Sequence, residues 1–143
     1  MSLQQLEQIL NTVPYLATLG ISVEEARPGQ VVLRLPALEG NTTHDGVLHS
    51  AAMFAVGEVA AGVAVGTQPQ LVGYTHLLRG TRIRYAAVSR KDVTAHAAIT
   101  PEMVEAIVGS ESGRTEVQVP VRVMDGHGGD VAELIVSYSF RGG

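Results

Sequence analysis

His49 to Gly66 reads HSAAMFAVGEVAAGVAVG. Past its first two residues it is Ala, Val, Met, Phe and Gly, with Glu58 as the one exception. A helix on a protein surface keeps a polar face, and this stretch has none, so it predicts a helix buried on all sides. Gly66, with Pro69 beyond it, marks the C-terminal end. Glu58 then falls in mid-helix. The positions three and four residues away are Ala55, Phe54, Ala61 and Gly62, none of them cationic. A carboxylate so placed is costly unless a group outside the helix pairs with it, or unless it is kept for chemistry.

On the N-terminal side, Ser2 and Gln5 form a capping-box pattern, and Leu3, Leu6, Ile9, Leu10 and Val13 follow at helical spacing until Pro14. Residues 20–26 and 30–36 read as two strands joined by the turn Arg27-Pro28-Gly29-Gln30. A polar loop from Pro36 to Leu48 leads into the central helix. Loops in that place reach the surface beside a helix N-terminus and often carry function.

On the C-terminal side, Leu71 to Ala87 is long for one strand and predicts a bulge or break at Gly80. Thr81, Ile83 and Tyr85 lie on one face of it, and Arg82 and Arg84 on the other. Alternation continues through Val93–Ile99, Val117–Val123 and Ala132–Phe140, with a Gly-rich turn at Asp125–Asp130. Pro120 implies an edge strand or a bulge at its position. Short connections imply antiparallel pairing, and the one element apolar enough to cover the sheet is 50–66. The expected architecture is α+β, a curved antiparallel sheet wrapped around a central helix, in one domain spanning 1–143.

Composition removes several classes of function. The chain is 45% hydrophobic and 17% charged, with net charge -4 and no cysteine. It has no basic footprint for nucleic acid, no thiol nucleophile and no thiolate metal site. No basic-then-apolar leader is visible at the N-terminus, and residues 51–66 are too short to span a bilayer, so a cytoplasmic protein is expected. The five histidines, His44, His49, His76, His96 and His127, include no metalloprotease spacing, and no metal is expected. No G-x-S-x-G surrounds a serine.

The remaining constellation is NTTHDGVLHSAAMFAVGE, residues 41–58. Gly46-Val47-Leu48-His49-Ser50-Ala51, with an acid nine residues after the histidine at Glu58, resembles the G-x-x-H-G-G…(D/E) segment of hotdog-fold acyl-CoA thioesterases. It is most similar to the branch of phenylacetate-pathway and 4-hydroxybenzoyl-CoA thioesterases. Ser112-Gly113-Arg114 and EVQVPVRVMDGHGGDVAELIVSYSF resemble that family's G-R strand, turn and final strand. Ser50 and Ala51 stand where the family has two glycines, and their Cβ atoms narrow the approach to the helix amides. Gly62 stands where the aryl-specific branch tends to have Thr or Ser.

The resemblance implies hydrolysis of an acyl- or aryl-CoA thioester in a homodimer or dimer of dimers, without a cofactor. The amides of Ser50 and Ala51, at the positive end of the helix dipole, would polarise the carbonyl. Glu58 would act as base or nucleophile, and His49 would orient the loop or the carbonyl. Asn41, Thr43, His44 and Gly46 are candidates for water or substrate contacts. Arg114 matches the family's coenzyme A contact, and Arg82, Arg84, Arg90 and Lys91 are further cations for its phosphates. Ser50 and Glu58 are separated by roughly 12 Å along the helix, which implies a carboxylate supplied by a second subunit. Two other readings compete. One is a non-catalytic acyl-CoA binding module. The other is a hydroxyacyl thioester dehydratase using His44 with Glu58.

Overall fold

The computed structural model describes residues 1–142. The capping box of Ser2 and Gln5 forms as predicted, with both reciprocal bonds present, and starts helix α1, Leu3–Leu10. The chain does not stay helical to Val13. Asn11 caps α1, and Pro14 opens a second short helix, α2, Pro14–Leu19, as its first residue. Proline fits there because its missing N–H has no intrahelical partner to lose.

Strands β1, Ser22–Arg27, and β2, Gln30–Leu35, form the expected hairpin. Gly29 has φ +75° in its turn, a conformation side chains disfavour. The long helix α3 spans Ser50–Gly66. Strand β3, Tyr74–Tyr85, is followed by β4, Val93–Ala98, then helix α4, Pro101–Val108, and strands β5, Arg114–Met124, and β6, Asp130–Gly142. The register of β3 against β6 shifts between Leu78 and Gly80, which puts the expected bulge beside Gly80.

All pairings are antiparallel, in the order β1-β2-β4-β5-β6-β3. The expectation that the strands after α3 join by short turns holds for β5 and β6 and is corrected for the rest. β3 and β4 follow each other in sequence, yet β3 lies at one edge and β4 pairs with β2 and β5. The link from β4 to β5 contains α4, whose signature is Thr100 capping Met103 N–H, Pro101 at the first position and Glu102 in the first turn. Pro120 is neither on an edge strand nor at a bulge. β5 is interior, and its ladder with β4 starts at Val121, so no bond to β4 is lost at the proline.

α3 packs across the sheet, with Val56, Ala60, Ala61 and Ala64 fully buried. Gly57 is the point of closest approach, because a Cβ there would come 2.6 Å from Leu134 Cδ1 on β6. Gly66, at the end of the helix, has open space where a Cβ would stand. The helix is also not buried all round. Ser50 and Ala51 are exposed, and Phe54, Glu58 and Gly62 are only half-buried. Among the described residues no helix is long and apolar enough to cross a membrane.

Candidate active site

The open positions of α3 are where the candidate residues meet. A cavity of about 450 Å³ is lined by Ser50, Ala51, Phe54, Ala55 and Glu58 from α3, Tyr15 from α2 and Tyr85 from β3. The helix N-terminus and the acid therefore border one space within a single protomer. Glu58 is half-buried, and burial raises its pKa. It has no salt bridge among the described residues, as the absence of a cation at helical spacing predicted.

His49 is the N-cap of α3, and its Nδ1 accepts a hydrogen bond from Ala51 N–H at 2.9 Å. That bond puts the ring proton of a neutral His49 on Nε2. The amides of Ala52 and Met53 donate to the His49 carbonyl, and Ser50 N–H has no partner among the described residues. Of the two expected oxyanion donors, one is free and the other is held by His49. The Tyr85 hydroxyl donates to the Ser50 carbonyl at 3.0 Å, tying the end of β3 to the helix start.

The preceding loop is built to hold this entry. Asn41 is buried, and its side-chain amide donates to the carbonyls of Leu19, at 2.7 Å, and Pro36, at 3.0 Å. Those bonds use both of its N–H groups on the backbone, so Asn41 anchors the loop. Thr43 is half-buried; its amide donates to the Val47 carbonyl, and its hydroxyl oxygen accepts from Asp45 N–H. Gly46 takes φ +79° with Arg90 against it, and Arg90 donates to the Asp45 carbonyl. His44 is exposed, 3.5 Å from the Asp45 carboxylate, and does not line the Glu58 cavity. Within one protomer the fold therefore does not bring His44 and Glu58 together.

Tyr138, which sequence reading left unassigned, reaches α3 from β6. A Cβ on Gly62 would lie 3.2 Å from its hydroxyl oxygen. Burial and then the charge of Glu58 push its pKa up to about 12. His76 meets the Tyr138 ring edge-on, with centroids 5.5 Å apart. The strand alternation of β6 pointed Tyr138 inward, but only the register with α3 could place it beside Glu58.

The arginines separate into two sets. Arg82 and Arg84 are exposed on β3. Arg114, leaving the Ser112-Gly113 turn with Gly113 at φ +71°, pairs across from Arg141. Both line a groove of about 490 Å³ with Arg79 and His76. None of Arg79, Arg114 and Arg141 is in an ion pair among the described residues. Arg79 and Arg141 were not singled out from sequence; the strand pairing brings them to Arg114. Lys91 sits in the β3–β4 connection, outside both spaces.

A six-stranded antiparallel sheet curved around one long helix defines the hotdog fold. Residues 4–138 match a family described as a domain of unknown function, DUF4442, and the chain belongs to that family. A Pseudomonas aeruginosa protein of unknown function, described as a probable thioesterase, superposes with TM-score 0.90 at 22% identity, over 99% of this chain and 96% of that one. A Haemophilus influenzae thioesterase gives 0.77 at 16% identity, over 99% and 92% of the two chains. Zebrafish thioesterase superfamily member 2 gives 0.75 at 18% identity, over 99% of each chain. No curated protein sequence matches the chain.

Proposed function

We propose that the protein hydrolyses an acyl-CoA thioester, with Glu58 as base and the N-terminus of α3 as the oxyanion site. The observation that carries this is that the half-buried carboxylate and the first amides of α3 open onto the same face of each protomer, where two such faces can meet. The thioesterases of like fold support the same reaction class. Glu58 takes a proton from water as the water oxygen bonds to the thioester carbon. The carbonyl oxygen becomes an oxyanion facing Ser50 N–H, joined by Ala51 N–H once the His49 ring turns away. Collapse of the adduct breaks the C–S bond, and the Glu58 carboxyl returns its proton to the departing thiolate. The raised pKa suits this exchange, because it makes the carboxylate a better base near neutral pH. Direct attack by the carboxylate would instead form an anhydride, and single turnover in heavy-oxygen water separates the two by labelling Glu58 only in the second case.

The phosphates of coenzyme A suit the groove of Arg79, Arg114 and Arg141. A second copy of the chain fits the outer edge of β3, where Leu77 and Leu78 are exposed and no strand pairs. Helix length still separates Ser50 from Glu58 by roughly 12 Å, so a complete site takes the amides of one protomer and the acid of another. Mixing Glu58→Ala with Ser50→Pro tests this. Either homodimer should be inactive, and random exchange should restore about a quarter of wild-type activity. A site within one chain predicts no recovery once exchange is verified.

One observation favours a second reading, a binding module without turnover: Ala51 N–H is already held by His49. Release of free thiol from a panel of acyl- and aryl-CoA esters decides between them. Sustained release supports hydrolysis, and tight binding with none supports the module.

A further inference from the structure

Neither the Tyr138 hydroxyl nor the Glu58 carboxylate has a hydrogen-bond or ion-pair partner among the described residues, although both are drawn out of bulk water. Tyr138 is 4% exposed, and its ring packs against His76 and Phe140. A tyrosine so buried ordinarily finds a partner for its hydroxyl. Among the described residues no fully buried side-chain oxygen lacks one, so the Tyr138 oxygen is the end of the side chain that reaches open space.

That end stands beside α3, one turn from the acid. Gly62 follows Glu58 by four residues, and positions so spaced share a helix face with Cβ atoms about 5–6 Å apart. Gly62 has no Cβ, and the place where one would stand is 3.2 Å from the Tyr138 hydroxyl oxygen. Helical Cα–Cβ bonds tilt toward the N-terminus, so that place lies on the Glu58 side of Gly62. The phenol thus enters from β6 into the gap that Gly62 leaves, and a change of Glu58 rotamer closes the remaining distance. Donor and acceptor match, because a neutral phenol donates and a carboxylate only accepts. The charge of Glu58 is the second cause of the raised phenol pKa, in keeping with a short separation. The other groups facing the acid are differently employed. Tyr85 of β3 donates to the Ser50 carbonyl, Tyr15 of α2 is 59% exposed, and His76 of β3 packs on the Tyr138 ring. No cation lines the Glu58 cavity.

We infer that Tyr138 is a positioning residue for Glu58, its hydroxyl donating to the carboxylate and leaving the second oxygen for the reacting water. The inference rests on the hydrolase reading only for the use made of that carboxylate. A donor on the charged form offsets part of the burial that disfavours it.

Tyr138→Phe removes the hydroxyl and keeps the ring. The first readout needs no substrate: carbon-13 NMR titration of the labelled Glu58 carboxyl, assigned by its loss in Glu58→Gln. Without its donor the Glu58 midpoint should move to higher pH. An unmoved or lowered midpoint in the folded variant overturns the inference. Gly62→Ala pushes the hydroxyl off its place from the α3 side and should move the midpoint the same way, which keeps the test open if Tyr138→Phe does not fold. Gly62→Ser in the Tyr138→Phe background returns a hydroxyl to that place and should bring the midpoint back toward wild type; no return would overturn the placement over Gly62. In turnover of acyl- and aryl-CoA esters, Tyr138→Phe should lose about tenfold in kcat, the worth of a hydrogen bond to a charged group, with KM retained. The limb on which kcat/KM rises with pH should move up with the Glu58 midpoint. A merely structural tyrosine would lower the melting temperature and leave both pH midpoints in place. The two readings fail separately. A moved midpoint without thiol release would overturn the hydrolase, and release with an unmoved midpoint would overturn the positioning role.

Discussion

The phenol of Tyr138 senses the carboxylate of Glu58. Burial, and then that charge, push the phenol up to about 12, and the missing side chain of Gly62 is what lets β6 bring it against α3. The coupling lies within one protomer, so it can be read without any substrate. Removing the charge should ease ionisation of the phenol. Glu58→Gln is expected to lower the Tyr138 pKa from about 12, with burial still holding it above the ordinary tyrosine value. Phenolate absorbance across an alkaline titration measures this, and an unmoved curve would remove Tyr138 from the surroundings of Glu58.

The same acid should leave a mark on stability. Burial raises its folded pKa above the ordinary value of 4.5, so between those values the folded state binds more protons than the unfolded one. Stability therefore declines as pH rises from about 4.5 through the folded pKa. Glu58→Gln lacks that penalty. Its melting temperature should exceed that of wild type at pH 7, and the gap should close by pH 4. Thermal denaturation at the two pH values checks it. A variant less stable at pH 7 would mean that Glu58 is held by an ion pair in solution.

Asn41 was read from sequence as a substrate contact, and its bonds to the Leu19 and Pro36 carbonyls give it a different task. Asn41→Ala should cost about 2–3 kcal/mol, since the buried Leu19 carbonyl and the half-buried Pro36 carbonyl lose their donor. Urea denaturation measures the loss, and a change under about 0.5 kcal/mol would show that the loop is anchored elsewhere.

Gly57→Ala probes the seam between α3 and the sheet. A methyl 2.6 Å from Leu134 Cδ1 in a fully buried setting should cost about 1–3 kcal/mol, although alanine favours the helix. The same change at Gly66, where nothing stands within 4 Å, should be neutral or mildly stabilising. Parallel denaturant titrations of the two variants give the comparison.

Sequence carried the fold furthest where signals are local. The Ser2 capping box, the Gly29 turn, the bulge beside Gly80 and the apolar run of α3 all appear where residue pattern places them. It failed where a local signal is ambiguous. Pro14 and Pro101 each start a short helix, and a proline after a polar or β-branched residue reads as a breaker just as well. It failed again where position depends on distant pairing. Nothing in residues 74–85 says that β3 joins β6 at the edge and not β4, so the meeting of Arg79, Arg114 and Arg141 was out of reach. Glu58 stood out because an acid in an apolar helix breaks a local rule. Tyr15, Tyr85 and Tyr138 break none, and only the fold draws them to it.

The most direct measurement is steady-state thiol release from a panel of acyl- and aryl-CoA esters by wild type and by Glu58→Gln, with melting curves and coenzyme A binding recorded on the same preparations. Loss of general-base assistance should lower kcat by about a hundredfold or more, with ligand affinity and folding retained. A folded Glu58→Gln variant that binds coenzyme A and turns over at the wild-type rate would contradict the account.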